Sequence, residues 1–242
     1  MRSAKKPTTA TVRVALAIVL GAGIVGVMGA CSFAAGPGLD ASRWLEHRIQ
    51  LSSIEFAFRV PPGGGSKAKP SYPTITRLDL ERDLTKAKPG VAVFGHVWDW
   101  EGWFWQGVFG SLKMIVGVSS RPADYDKDLT AIENLEGLIR RDLGRTYDQR
   151  NAELRQKGQA QFTVTLPESY QRIPLHGREW LVYSLGGQLH RTIYVIPVTP
   201  TRYLSVSLDF TDNSRGYTTT WRQEAQVVAD HIIASFELRE PK

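Results

Sequence analysis

Catalysis needs nucleophiles, metal ligands or proton carriers within reach of one another, so the residues able to do chemistry come first. The chain has five histidines: His47, His96, His176, His190 and His231. None stands at the His-x-x-x-His or His-Glu-x-x-His spacing that puts two metal ligands on one helical face. The one cysteine, Cys31, cannot complete a thiolate set or an internal disulfide. A sequence-local metal site is therefore not expected, and no cofactor is expected. No Gly-x-Ser-x-Gly elbow presents a nucleophilic serine. Ser111 and Ser184 fall in alternating segments, where serine is ordinarily an outward strand residue. Asp99 and Glu101 stand close together near a hairpin tip, where two carboxylates can share acid–base work, although acids at turns are usually just solvated. Pro61-Pro62-Gly63-Gly64-Gly65 with Lys67 lacks the Gly-Lys-Ser/Thr order of a phosphate loop, and Pro70 prevents a helix from starting there. These residues point to a protein that is not an enzyme. Any active site would have to be assembled from distant parts of the chain.

Cys31 has a more specific context. Met1–Arg13 carries Arg2, Lys5, Lys6 and Arg13, and Val14–Ala30 is uncharged and apolar. That is the layout of a signal peptide, and the apolar run falls short of the ~20 residues of a membrane span. It ends in Val27-Met28-Gly29-Ala30-Cys31, which resembles the lipobox of bacterial lipoproteins, with Met28 in place of the usual Leu or Val. The resemblance implies that residues 1–30 are removed and that the Cys31 thiol carries a diacylglycerol. Acyl chains at about 0.8 kcal/mol per buried CH₂ then hold the protein on a membrane. Ser32 in place of Asp implies sorting to an outer membrane, with the protein facing the periplasm. A retained membrane helix, or secretion with cleavage near Ser32-Phe33-Ala34, are the alternatives.

The charge follows the same division. The formal net charge is +6, but four of the 30 basic residues precede Cys31 and no acid does. The chain beyond is close to balance, which argues against a nucleic-acid partner.

The most unusual stretch is His96-Val97-Trp98-Asp99-Trp100-Glu101-Gly102-Trp103-Phe104-Trp105. With Glu101-Gly102 as a two-residue hairpin turn, Trp98, Trp100, Trp103 and Trp105 share one face, with Phe94, His96 and Phe109 farther along it. Val91, Val93, Val97, Val108 and Leu112 make the other face, a suitable core face. Left uncovered, the four tryptophans form a candidate binding surface; under a helix they are core.

The elements that position these residues read as follows. Ser32–Ala41 is a tether after the anchor, and residues 42–242 form one domain. Ile54, Phe56, Phe58 and Val60 alternate with polar or small residues as a strand, and a polar loop runs to about Pro73. Strands are predicted at Thr74–Leu80, Val91–Trp100 and Trp103–Val118. A helix is predicted near Leu129–Leu143, continuing through the arginine-rich Arg145–Gln156. Phe162–Leu166, Glu179–Ser184, Thr192–Val198 and Tyr203–Phe210 are the next strands. A last helix starts at Thr220 as N-cap, with Gln223 completing a capping box and Trp221, Ala225, Val228 and Ile232 as its buried stripe. This order predicts an α+β domain with helices packed on a mostly antiparallel sheet.

The segments Phe56-Ala57-Phe58-Arg59-Val60-Pro61 and Gly177-Arg178-Glu179-Trp180-Leu181-Val182-Tyr183, the strand Tyr203–Phe210 and the closing Ile232–Phe236 resemble the Mog1/PsbP-like α/β sandwich domains, including DcrB-type bacterial lipoproteins. The resemblance covers about residues 50–240 and implies a binding or assembly role with no catalytic residues. The resulting expectation is a lipid-anchored envelope protein that binds another envelope protein. Two other readings fit the same features: an immunity protein neutralising a periplasmic toxin, and an envelope hydrolase with a non-local active site.

Overall fold

The computed structural model describes residues 36–63, 70–72, 74–102, 107–187, 189–214 and 220–240. Cys31, the segment expected to be a signal peptide, Trp103 and Trp105 lie outside them.

The described chain forms two sheets and two helices. A small sheet has the order β12-β2-β1-β4, from β1 (Leu45–Leu51), β2 (Ile54–Val60), β4 (Arg77–Leu78) and β12 (Glu237–Arg239). The large sheet begins with β3 (Pro70–Tyr72), β5 (Gly90–Glu101) and β6 (Val108–Ser120). It is completed by β7 (Val164–Thr165), β8 (Gln171–Leu175), β9 (Arg178–Gly187), β10 (Arg191–Thr199) and β11 (Arg202–Asp212). Its order is β3-β5-β6-β11-β10-β9-β7, with β8 also paired to β9. Every pairing is antiparallel except the short β1–β4 contact. With α1 (Ile132–Gln156) and α2 (Trp221–Ala234) packed on this framework, the architecture is α+β, as predicted.

Strand period explains how two cores arise. Along β11, Leu204, Val206, Leu208 and Phe210 are buried on one face, and Leu112, Met114, Val116 and Val118 of β6 continue it. This face packs against the small sheet and α2. Rings cross the layer boundary at Phe58–Phe94, 5.0 Å, and Phe56–Trp180, 6.2 Å. Trp221, Ala225, Val228, Ala229 and Ile232 are the buried stripe of α2. On the opposite face, Leu181, Tyr183, Leu185, Ile193 and Val195 meet Ile132, Leu135 and Ile139 of α1 in a second core. Asn151 is the buried polar residue of α1. Its amide donates to the Val164 carbonyl at 2.7 Å, and its carbonyl accepts from the Val164 N–H at 2.9 Å, tying the end of the helix to β7. Replacing Asn151 by Leu leaves both backbone groups of Val164 buried without partners. The expected loss is about 2–4 kcal/mol of unfolding free energy, read by denaturant titration; a loss below about 0.5 kcal/mol contradicts the packing described.

Several sequence expectations are corrected. The β5–β6 turn is not Glu101-Gly102. The register pairs Trp98 with Leu112, Trp100 with Gly110 and Glu101 with Val108, so the connection runs from Gly102 to Gly107. The Gly102 N–H donates to the Gly107 carbonyl at 2.8 Å, and Gly107 takes φ +70°, where a side chain is strained. Tertiary packing sets this register. Any Cβ on Gly110 would collide with the Trp221 indole, so only glycine lets α2 lie there. Leu112 therefore shares the core face with Trp98 and Trp100 rather than opposing them.

Thr220 does not form a capping box. Its hydroxyl donates to Glu224 at 2.9 Å. The tether is shorter than expected, because Pro37 is buried and Gly36 sits against the Trp100 indole with no room for a Cβ. The strand expected at Thr74–Leu80 contracts to β4, followed by a turn in which Asp79 and Asp83 cap backbone N–H groups. The predicted continuation of α1 to Gln156 is present.

Candidate functional site

The aromatic run is core where it is described. Trp98 and Trp100 are both 0% exposed, so neither belongs to an exposed binding surface. The Trp98 indole N–H donates to the Pro61 carbonyl at 3.2 Å. That of Trp100 donates to the Glu224 carboxylate at 3.1 Å, and its ring lies 6.1 Å from Trp221. The helix over this face is α2. Of the other residues weighed for chemistry, Ser184 and His190 line one groove. Ser111 donates to Asp99 at 2.6 Å on the outer face of β5 and β6. His231 meets the edge of Trp44 at 5.6 Å, and His176 contacts the Ala234 carbonyl at 2.9 Å. His47 and His96 flank Phe94 between the sheets. Among the described residues, no group of three or more His, Cys, Asp or Glu is placed to hold a metal ion.

The structure instead opens a polar groove of about 640 Å³ beside α2. Its origin lies at the edge of the large sheet. β7 pairs with Gly186-Gly187 and β8 pairs with Arg178–Val182, so two short segments share β9 end to end. The chain between them, Leu166–Tyr170, cannot continue either ladder, since Pro167 has no N–H to give. It arches off the edge at the level of Ser184 and forms one wall. α2 forms the other wall with Arg222 and Gln226. Strand alternation supplies the floor: Ser184 faces Thr192 across the β9–β10 ladder, hydroxyls 3.2 Å apart, and Tyr194 follows on the same face. Burial pushes the Tyr194 hydroxyl up to about 12, helped by Asp230, so it is a neutral donor at any physiological pH. The Arg222 guanidinium lies over the Phe210 ring at 3.8 Å. Burial lowers its pKa and Asp212 opposes the shift, but an arginine stays charged.

This arrangement can bind. Hydroxyls, a side-chain amide and one stacked cation offer directional hydrogen bonds to a polar partner. The Ser184 hydroxyl meets that of Thr192, and His190 and Glu168 also line the groove. Sequence reasoning identified Ser184 as an outward strand residue. It could not assemble the groove, because Thr192, Tyr194 and Arg222 come from other segments.

No protein-family model and no curated protein matches this chain. Among solved structures, the chain is similar to the solution structure of cyanobacterial PsbP (CyanoP) from Synechocystis sp. PCC 6803. The identity is 15% and the TM-score 0.37, over 90% of this chain and 98% of that one. The strand order and the packing of the two helices define the α+β fold.

Proposed function

We propose that this protein is a lipoprotein of the bacterial cell envelope, anchored through Cys31 in the outer membrane and facing the periplasm, and that it works by binding an envelope protein rather than by catalysis. The groove beside α2 carries the binding part of this reading, because it is a preformed recess whose floor and walls present hydroxyls, a side-chain amide and a stacked cation to a polar partner. The anchoring part is supported by the Gly29-Ala30-Cys31 ending of the apolar run. No helix among the described residues is long and apolar enough to cross a membrane.

Mass spectrometry of the protein from its native membrane tests the anchor. The expected product begins at Cys31 with a diacylglycerol-modified thiol, and Cys31→Ser should move the protein out of the membrane fraction. An intact Met1 or an unmodified Cys31 thiol ends the proposal. The groove is tested by cross-linked pull-down of the anchored protein. Ser184→Trp should lose the specific partner at an unchanged melting temperature, and retention of the same partner by this variant removes the groove from the reading.

A further inference from the structure

A second recess, of about 600 Å³, lies at the far end of β5 and β6 from their connecting turn. It sits where three loops meet. The Ser120 N–H donates to the Pro89 carbonyl at 2.6 Å, and the Arg121 N–H to the Thr201 carbonyl at 2.9 Å. These bonds hold the start of β5, the end of β6 and the β10–β11 turn in a ring around it. Its lining is divided. Leu84, Pro89, Pro122 and the Tyr125 ring give an apolar wall, while Lys86, Arg121 and Arg202 bring three cations.

The acids nearby do not balance those cations. Glu81 reaches Arg202 only at 3.8 Å and its side chain is 79% exposed. Asp128 acts on Arg121 at longer range and is engaged by the Thr130 hydroxyl and N–H at 2.7 Å each. Arg202 is fixed in place, with a side chain only 14% exposed and hydrogen bonds to the Leu80 carbonyl and to Thr201. Arg121 spends Nη1 on the carbonyls of Tyr125 and Lys127. Its Nε–Nη2 edge, the one that matches a planar carboxylate, meets no acceptor among the described residues. The Ser120 hydroxyl is buried with no hydrogen-bond partner in the same lining. An apolar recess of this size with convergent cations and an idle hydroxyl has the makings of a small-molecule site.

We infer that this recess binds an amphiphilic carboxylate, its carboxylate between Arg121 and Lys86 and its ring or short alkyl body on the Leu84–Pro89–Pro122–Tyr125 wall. The inference is independent of the groove beside α2.

The test is calorimetric titration of the full chain in lipid nanodiscs with 3-phenylpropionate, with empty nanodiscs as reference. 3-Phenylpropionamide serves as the uncharged isostere and inorganic phosphate as an anion with no apolar body. Saturable binding at about 1 mM or tighter is expected for the carboxylate, with the amide at least about tenfold weaker and phosphate silent. Lys86→Glu and Ala123→Trp, both at exposed positions, should each weaken binding at least about fivefold at an unchanged melting temperature. The inference is overturned by no binding of the carboxylate up to about 10 mM, by equal affinity for amide and carboxylate, or by comparable binding of phosphate alone. It is also overturned if folded Lys86→Glu and Ala123→Trp both bind normally. The amide comparison is made on the unaltered protein and decides the matter even if a variant fails to fold.

Discussion

Trp100→Ala should lower the unfolding free energy by about 3–5 kcal/mol, enough to remove a large fraction of the stability of a typical domain. The residue is fully buried and central to three contacts at once. Its ring packs on Trp221 of α2, its indole N–H satisfies Glu224, and its edge receives the backbone at Gly36. Truncation leaves a cavity that glycine neighbours cannot fill, since Gly36 and Gly110 border the paired indoles. It also strips the Glu224 carboxylate of an indole donor, leaving it the Thr220 hydroxyl. Denaturant titration reads the loss. Trp100→Phe, which keeps most of the volume but not the donor, should recover more than half of it. A loss below about 1 kcal/mol for the alanine variant would falsify the assignment of this ring to the core.

Acidification should destabilise the protein through His47 and His96 before the carboxylates titrate. The two imidazoles lie in the aromatic layer between the sheets. His47 stacks on Phe58 at 5.5 Å and tilts against Phe94 at 4.8 Å, and His96 lies 4.6 Å from Trp98. The His96 Nε2 atom is buried with no hydrogen-bond partner. Burial lowers the pKa of both from the ordinary 6.5; for His96 the neighbouring His47 adds to the effect and Asp99 opposes it.

The unfolded chain therefore takes up protons below pH 6.5 that the folded chain refuses. Stability is fully present above that value and is lost as pH falls from it toward the lowered folded pKa. Each imidazole contributes a slope of at most about 1.4 kcal/mol per pH unit, less in proportion to the solvent screening a half-buried ring retains. The carboxylates held low by hydrogen bonds, such as Asp83 and Asp212, contribute only in the more acidic range below their ordinary 3.8. Urea midpoints at pH 7.5 and 5.5 read the effect, and the double variant His47→Leu, His96→Leu should show a much flatter pH dependence. An equal pH dependence in the double variant would place the effect elsewhere.

The two rings and the aromatic run show why parts of this molecule were legible in sequence and others were not. β2 and the buried stripe of α2 match their periodicity because one face of each is wholly apolar and the other carries charges such as Glu55 and Arg59 on β2. β1 carries the same period in Leu45, His47, Ile49 and Leu51, but a histidine in the apolar row, and charges between, hide it. β8 and β12 are short and partly exposed, so pairing with β9 and β2 defines them rather than composition. The hairpin register failed for a different reason. Its local sequence offers two turn glycines, Gly102 and Gly107, and the choice between them is made by Gly110, whose missing side chain admits Trp221 from more than a hundred residues away. The groove was illegible for the same reason on a larger scale: its polar groups acquire meaning only once β9, β10 and α2 are adjacent.

Were Cys31 lipidated as proposed, the seating of Gly36 on Trp100 would limit how far the domain could travel. With the lipid on Cys31, five residue steps separate the acylated thiol from packed backbone, a leash of at most about 18 Å when fully drawn out. A leash that short acts as a pivot. Under that anchor the β5–β6 turn would stay within reach of the headgroups, and the twelve residues of β5 span roughly 35–40 Å from it. A partner of the protein so anchored would have to come to the membrane.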